Sequence, residues 1–263
     1  MYSNINNVLT KKGGVGKSLV CAVLSNYFLD RGQRTLSLDL DANQPTFSRY
    51  KGLNVERVEV TRNGKVDSRL FDRATETIYG PDAAHGVART DIDQVVIDSG
   101  AGSYLPFVHF LWREGILEEL SELGYQHTMH VVLAGGQALQ DCAASLNELA
   151  THFGADSKIV VWLNGYFDAL PWPTIQAFYE SELYGSYSHL IDGVVQMPDL
   201  DPETEGPAFA QFSKMNLTFT QATQSGDLSY RDSKRLIRIR ASYYQQLDAI
   251  FGTHAENTLA AEV

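Results

Sequence analysis

The stretch Lys12-Gly13-Gly14-Val15-Gly16-Lys17-Ser18 constrains this chain more than any other part of it. It lies between a short apolar run, Ile5 to Leu9, and a longer one, Leu19 to Leu29. The first has the length of a strand and the second reads as a helix. A strand, a glycine-rich turn and a helix opening on Lys-Ser form the setting of a phosphate-binding loop. Without Cβ atoms at Gly13, Gly14 and Gly16, successive backbone N–H groups can turn inward around a phosphate. The helix start brings its own unpaired N–H groups and the positive end of its dipole to the same point. Lys17 supplies a full charge toward the β- and γ-phosphates, and the Ser18 hydroxyl is placed to ligate Mg²⁺.

Strand and helix patterns alternate beyond this loop. Strands are expected at Arg34–Leu40, Gln94–Ile97, His130–Ala134, Lys158–Leu163 and Gly193–Met197, with a short strand or hairpin over Val55–Val60 closed by Asn63-Gly64. Helices are expected over Asp67–Tyr79, Tyr104–Leu123, Gln137–Phe153, Trp172–Tyr184, Phe209–Met215 and Leu228–Phe251. Gly80 to Thr90 reads as a polar, mobile connection, and the residues from Gly252 onward as a frayed tail. Short apolar strands separated by helices predict an α/β fold, a doubly wound and mostly parallel sheet covered on both faces. No composition break divides the 263 residues, so one domain over 1–263 is expected.

In such sheets ligands bind beyond the carboxyl ends of the strands. Polar residues end strand after strand here: Asp39 and Asp41, Asp98, Asn164. Val95-Val96-Ile97-Asp98 places a carboxylate where a phosphate-bound Mg²⁺ requires one, so Asp98 is a candidate metal residue together with Ser18. Strand alternation predicts Asp39 and Asp41 on one side, near the metal and the γ-phosphate.

The usual loop has a glycine five positions before Gly16, where this chain has Lys11. Its second lysine, Lys12, stands directly before Gly13 instead. In this K-G-G-x-G-K-S form the chain resembles the deviant Walker loop of the ParA/MinD ATPases. The resemblance implies an Mg²⁺-dependent ATPase of slow turnover that forms an ATP-dependent homodimer. It implies that Lys12 reaches the phosphates held by the other subunit, that Asp41 positions water for hydrolysis and that Asp39 belongs to the Mg²⁺ and switch environment. It further implies an adenine contact at Asn164 and a base-covering loop at Pro198. Read from the residue alone, Asn164 has a turn former as its alternative. Two departures stand out. The family commonly follows its D-x-D with Pro-Gln, whereas Asp41 precedes Ala42-Asn43-Gln44-Pro45; after Asp98 the family has x-Pro, and this chain has Ser99-Gly100-Ala101-Gly102-Ser103. They predict altered switch loops and weak hydrolysis.

The segments Ala134–Leu139 and Val160–Asn164 and the basic C-terminal helix are similar to TraL/StbB-type ATPases of conjugative plasmids. That branch implies a role in plasmid transfer or in positioning plasmid DNA, with DNA or a DNA-binding adaptor or relaxosome protein as partner. The other branches fit less well. Thr253 to Val263 has no apolar face and no apolar run reaches 18 residues, so no membrane anchor is expected. Cys21 and Cys142 fall inside helices, with neither metal nor disulfide spacing, which reads as packing in a cytoplasmic protein. Tyr243-Tyr244 is a single pair, not a kinase-type tyrosine cluster. The start, Met1 to Asn7, has no basic, apolar signal pattern.

A net charge of −11 argues against nucleic-acid binding by the surface as a whole. One helix face runs the other way: Arg231, Lys234, Arg235 and Arg238 lie at i, i+3, i+4 and i+7 and are candidate DNA contacts. A solvated face paired with acids elsewhere explains the same spacing equally well. Two functional classes stay open: an ATP-driven dimerising switch, and a nucleotide-responsive adaptor with little hydrolysis that works through protein partners.

Overall fold

The computed structural model describes residues 3–81, 89–166 and 168–252. The chain alternates between strands and covering helices. β1 (Asn4–Val8) enters the phosphate loop, which opens α1 (Lys17–Asp30) and returns to β2 (Thr35–Asp39). β3 (Val55–Arg57) and a small hairpin, β4 (Thr61–Arg62) with β5 (Lys65–Val66), lead to α2 (Asp72–Tyr79). β6 (Gln94–Asp98), α3 (Gly100–Arg113), α4 (Ile116–Glu122), β7 (Gln126–Ala134), α5 (Leu139–Phe153) and β8 (Lys158–Asn164) follow. Two short helices, α6 (Ile175–Tyr179) and α7 (Glu182–Tyr187), precede β9 (Ile191–Gln196); α8 (Glu205–Met215), α9 (Phe219–Gln224) and α10 (Tyr230–Leu247) come last.

Seven strands form one parallel sheet in the order β3-β2-β6-β1-β7-β8-β9. β1 is central, so the loop that follows it emerges at the middle of the sheet's carboxyl edge. Because both faces are covered, the inner strands are buried along nearly their whole length; β7 is exposed only at Gln126. α1 is likewise buried on most sides, because α9 and the turn that follows α10 close over it: Asn26 Oδ1 accepts from Phe219 N at 3.1 Å, and Tyr27 Oη donates to Asp248 at 2.9 Å.

A buried polar chain ties the central strands together. Trp162 Nε1 donates to His130 Nδ1 at 3.0 Å, which leaves the proton on Nε2 to donate to Asn6 Oδ1 at 3.1 Å. Asn6 Nδ2 then donates to Gln94 Oε1 and to the Val95 carbonyl. Four neighbouring strands are therefore joined by side chains as well as by their ladders. Burial pushes the His130 pKa down to about 3, so the ring stays neutral in this network.

Several elements differ from the sequence expectation. The helix expected over Tyr104–Leu123 is two, because Gly115 at φ 68° turns the chain between α3 and α4. The segment Trp172–Tyr184 likewise divides between α6 and α7, each started by its own hydroxyl cap, Thr174 and Ser181. β7 begins four residues before His130, since the polar Gln126-His127-Thr128 still pairs with β1. The Leu228–Phe251 helix starts at Tyr230 and passes into a wider turn at Asp248–Gly252. α9, with its Thr218/Gln221 capping box, has too little apolar content to be seen by periodicity. Residues 82–88 of the expected mobile connection and 253–263 of the expected tail lie outside the described residues.

Candidate nucleotide site

Gly14 at φ 76° and Gly16 at φ 101° carry the loop through left-handed backbone that L side chains rarely adopt. A Cβ at Gly16 would also lie 3.2 Å from Asn164 Nδ2 and 3.7 Å from Met197 Cε. No side chain caps the start of α1, and its first turn holds no acid, so its leading N–H groups are left for an anion.

Lys17 is only 6% exposed, and its ammonium donates to the Lys12 carbonyl at 2.8 Å. Among the described residues no carboxylate forms an ion pair with it. Burial lowers its pKa, against the pull of the nearby Asp98 and Asp41 charges. A buried cation held by a carbonyl is a site with half of its charge balance missing. A phosphate in the loop would supply the other half.

Beside it, Ser18 Oγ donates to Asp98 Oδ2 at 2.5 Å, although 80 residues separate the two. Asp98 is fully buried; desolvation pushes its pKa up to about 6, the Ser18 bond opposing and the Asp39 charge reinforcing the rise. A hydroxyl and a carboxylate in contact beside a phosphate cradle form a donor set that suits Mg²⁺. Asp98 ends its strand where Asp39 ends the neighbouring one, and the two are register partners.

The expected common side for Asp39 and Asp41 is not what forms, because β2 stops at Asp39 and the alternation stops with it. Asp39 is completely buried, and its two oxygens accept from Asp41 N at 3.0 Å and Ser48 N at 2.8 Å. Its carboxylate thus fixes the ends of the loop 40–48 and does not line the cleft. Asp41 does line it, with one oxygen accepting from Asn43 N and Gln44 N.

The segment after β6 fits against this loop residue by residue. A Cβ at Gly100 would meet the Asp41 carboxylate at 2.3 Å, and one at Gly102 would meet Asn43 Nδ2 at 2.3 Å. Gly100 also has φ 62°, and Ser103 Oγ donates to the Leu40 carbonyl at 2.8 Å. The departure from x-Pro after Asp98 has a physical meaning here: only glycine leaves room for Asp41 to lie against the first turn of α3.

Asn164 is placed differently from a free base contact. Its Nδ2 donates to the Val15 carbonyl at 2.9 Å and its Oδ1 accepts from Tyr166 N at 3.0 Å, so both ends hold backbone, one of them the phosphate loop itself. Pro198 follows Met197, the residue whose methyl group approaches Gly16. Lys12 stands at the rim, 42% exposed, with Nζ 3.4 Å from Asp141 in the first turn of α5.

The cleft so formed has a volume of about 570 Å³ and is lined by the loop glycines, Lys17 and Ser18 on one side and by Asp41, Asn43, Gln44 and Gly102 on the other. Asn43, Gln44, Thr46, Met197 and Asp141 were not legible as site residues in the sequence. Only Asp141, an acid at a helix start, carried a local signal. Arg231, Lys234, Arg235 and Arg238 are brought together, but in a separate groove on α10.

Loop, sheet order and strand-end acids define a P-loop NTPase fold with a nucleotide cradle. A family model described as the CobQ/CobB/MinD/ParA nucleotide binding domain matches residues 8–251, and the chain belongs to that family. Two TraL proteins of Escherichia coli are 36% and 32% identical to it over 247 and 246 residues, in each case 94% of this chain and 98% of the relative. Among solved structures, the cell division ATPase MinD of Pyrococcus furiosus superposes with TM-score 0.53 at 17% identity, covering 91% of this chain and 98% of that one. The septum site-determining protein MinD of Pyrococcus horikoshii, complexed with Mg-ADP, gives 0.50 at 16% identity, covering 91% and 95%. Among the described residues no helix is long and apolar enough to cross a membrane.

Proposed function

We propose that the chain is an ATP-binding, slowly hydrolysing switch that pairs with a second copy of itself while ATP is bound, and that it acts in conjugative transfer or positioning of plasmid DNA. The observation that carries this reading is the pairing of two lysines on one loop. Lys17 is buried with no carboxylate in ion-pair contact among the described residues; the Lys12 side chain is half-exposed beside the same cradle.

Backbone N–H groups of Gly13 to Lys17 and the Lys17 ammonium would hold the phosphates, and Ser18 and Asp98 would hold Mg²⁺. Mg²⁺-ATP held there would supply the phosphoryl group, with charge withdrawn from it by the metal. Asp41, at the wall opposite the loop, orients water; Asp39 and Gly100 keep Asp41 in place. Among the described residues the Lys12 ammonium has one ion pair, half-exposed, with Asp141, an interaction of about 0–1 kcal/mol. Its release toward a neighbouring subunit's phosphates is therefore inexpensive, and a cation arriving there offsets charge developing in the transition state. The part in conjugation rests on the likeness to the TraL proteins.

A second reading, a nucleotide-responsive adaptor with little hydrolysis, is favoured by one detail. The Asp41 oxygen engaged by Asn43 N and Gln44 N is not free to hold water. Sedimentation velocity with ADP and with a slowly hydrolysed ATP analogue tests dimerisation: the analogue alone should double the mass, and monomers in both would reject the switch. Phosphate release measured with and without DNA then separates the two readings.

A further inference from the structure

The start of α10 carries positive charge that folding does not favour. Tyr230, Arg231, Lys234, Arg235 and Arg238 line one open groove of about 380 Å³. Cations in a helix's first turns face the positive end of its dipole. Arg231–Arg235 and Lys234–Arg238 are in addition like-charge pairs at i, i+4, which weaken a helix. Among the described residues two of the four cations are paired: Arg235 with Asp232 at 2.7 Å and, at 3.5 Å, Arg238 with Glu205. Among the described residues no carboxylate forms an ion pair with Arg231 or Lys234. The Lys234 ammonium lies 5.5 Å over the ring of Tyr230, which is 78% exposed. The four charges burden the free helix, and two of them stand without a carboxylate partner among the described residues although the protein's net charge is −11.

We propose that this groove binds single-stranded nucleic acid, with phosphates on Arg231, Lys234, Arg235 and Arg238 and an unpaired base stacked on Tyr230. The groove is concave, and Glu205 and Asp232 stand among its cations. A flat anionic bilayer would be pressed against those acids, whereas a single strand can follow the groove between them. An exposed aromatic ring beside cations suits a base whose face is free, and the bases of a duplex are stacked on each other. The surface is separate from the nucleotide cleft, so the inference stands independently of the ATP reading.

The test is fluorescence anisotropy of labelled (dT)20 with the full chain between 50 and 200 mM salt, with and without the ATP analogue. Parallel arms use a 20-base-pair duplex and phosphatidylglycerol vesicles. Three to four phosphate contacts give a slope of log K against log salt of about −2 to −3. Arg231→Gln/Lys234→Gln should weaken (dT)20 binding about tenfold or more and flatten that slope. Tyr230→Ala should weaken it about 5- to 100-fold and leave the slope unchanged. Both variants should bind a fluorescent ATP analogue as the parent does, which shows them folded and keeps failure here distinct from failure of the loop. The inference is overturned by no (dT)20 binding at 50 mM salt in either nucleotide state, by binding indifferent to both variants, or by tighter binding to the duplex or the vesicles.

Discussion

Asp98→Asn should make the nucleotide-free protein more stable at pH 8 and abolish Mg²⁺-dependent ATP binding. Burial raises the Asp98 pKa from 3.8 to about 6, so its charged form is disfavoured in the folded chain by about 3 kcal/mol, at 1.36 kcal/mol per pKa unit. A group whose folded pKa is raised contributes stability that is fully present below the unfolded value and lost as pH rises through the folded one. Asparagine mimics the protonated acid, can still accept from Ser18 and carries no charge. The variant should therefore exceed the parent by about 3 kcal/mol at pH 8, with the difference closing between pH 6 and 4. Urea unfolding of both proteins at pH 8, 6, 5 and 4 measures it. Comparing the two removes the contribution of the buried histidines, which runs the opposite way. A variant less stable than the parent at pH 8, or a gap that does not shrink toward pH 4, would refute the claim that Asp98 is a charge held at the expense of the fold.

Lys12→Ala should leave stability within about 1 kcal/mol and ATP affinity unchanged, because its ion pair with Asp141 is half exposed, yet lose ATP-dependent dimerisation by sedimentation. Gly100→Ala should retain ATP binding but reduce phosphate release at least tenfold, since the new methyl group displaces the Asp41 carboxylate and sits at φ 62°. His130→Leu leaves Asn6 Oδ1 and Trp162 Nε1 without partners and should lower unfolding free energy by about 2–5 kcal/mol in urea titrations. In the parent, His130 has a depressed folded pKa, so the stability it contributes is present above pH 6.5 and is lost as pH falls toward about 3.

The fold was legible because its signals are local. Apolar runs at strand length and the loop Lys12–Ser18 settle the sheet and the position of its cradle, and the strand-end acids Asp39, Asp41 and Asp98 all come to the carboxyl edge. What the sequence hid depends on contacts between distant segments. Nothing near Asn164 in the chain shows that its amide spans to Val15, and nothing near Asp39 shows that Ser48 N and Asp41 N take both its oxygens. Gly100 read as a departure from the family until the Asp41 carboxylate was found lying where its Cβ would be. Helix lengths failed where a single residue decides them, as at Gly115, whose left-handed backbone separates two apolar runs that periodicity joins.

The proposed nucleotide switch depends on Lys17 being a buried cation that awaits a phosphate. Isothermal titration of Mg²⁺-ATP into the nucleotide-free chain and into Lys17→Ala tests this most directly. One nucleotide per chain bound by the parent, with no measurable binding by the variant, is the predicted result; equal heats from the two proteins, or none from the parent, would contradict it.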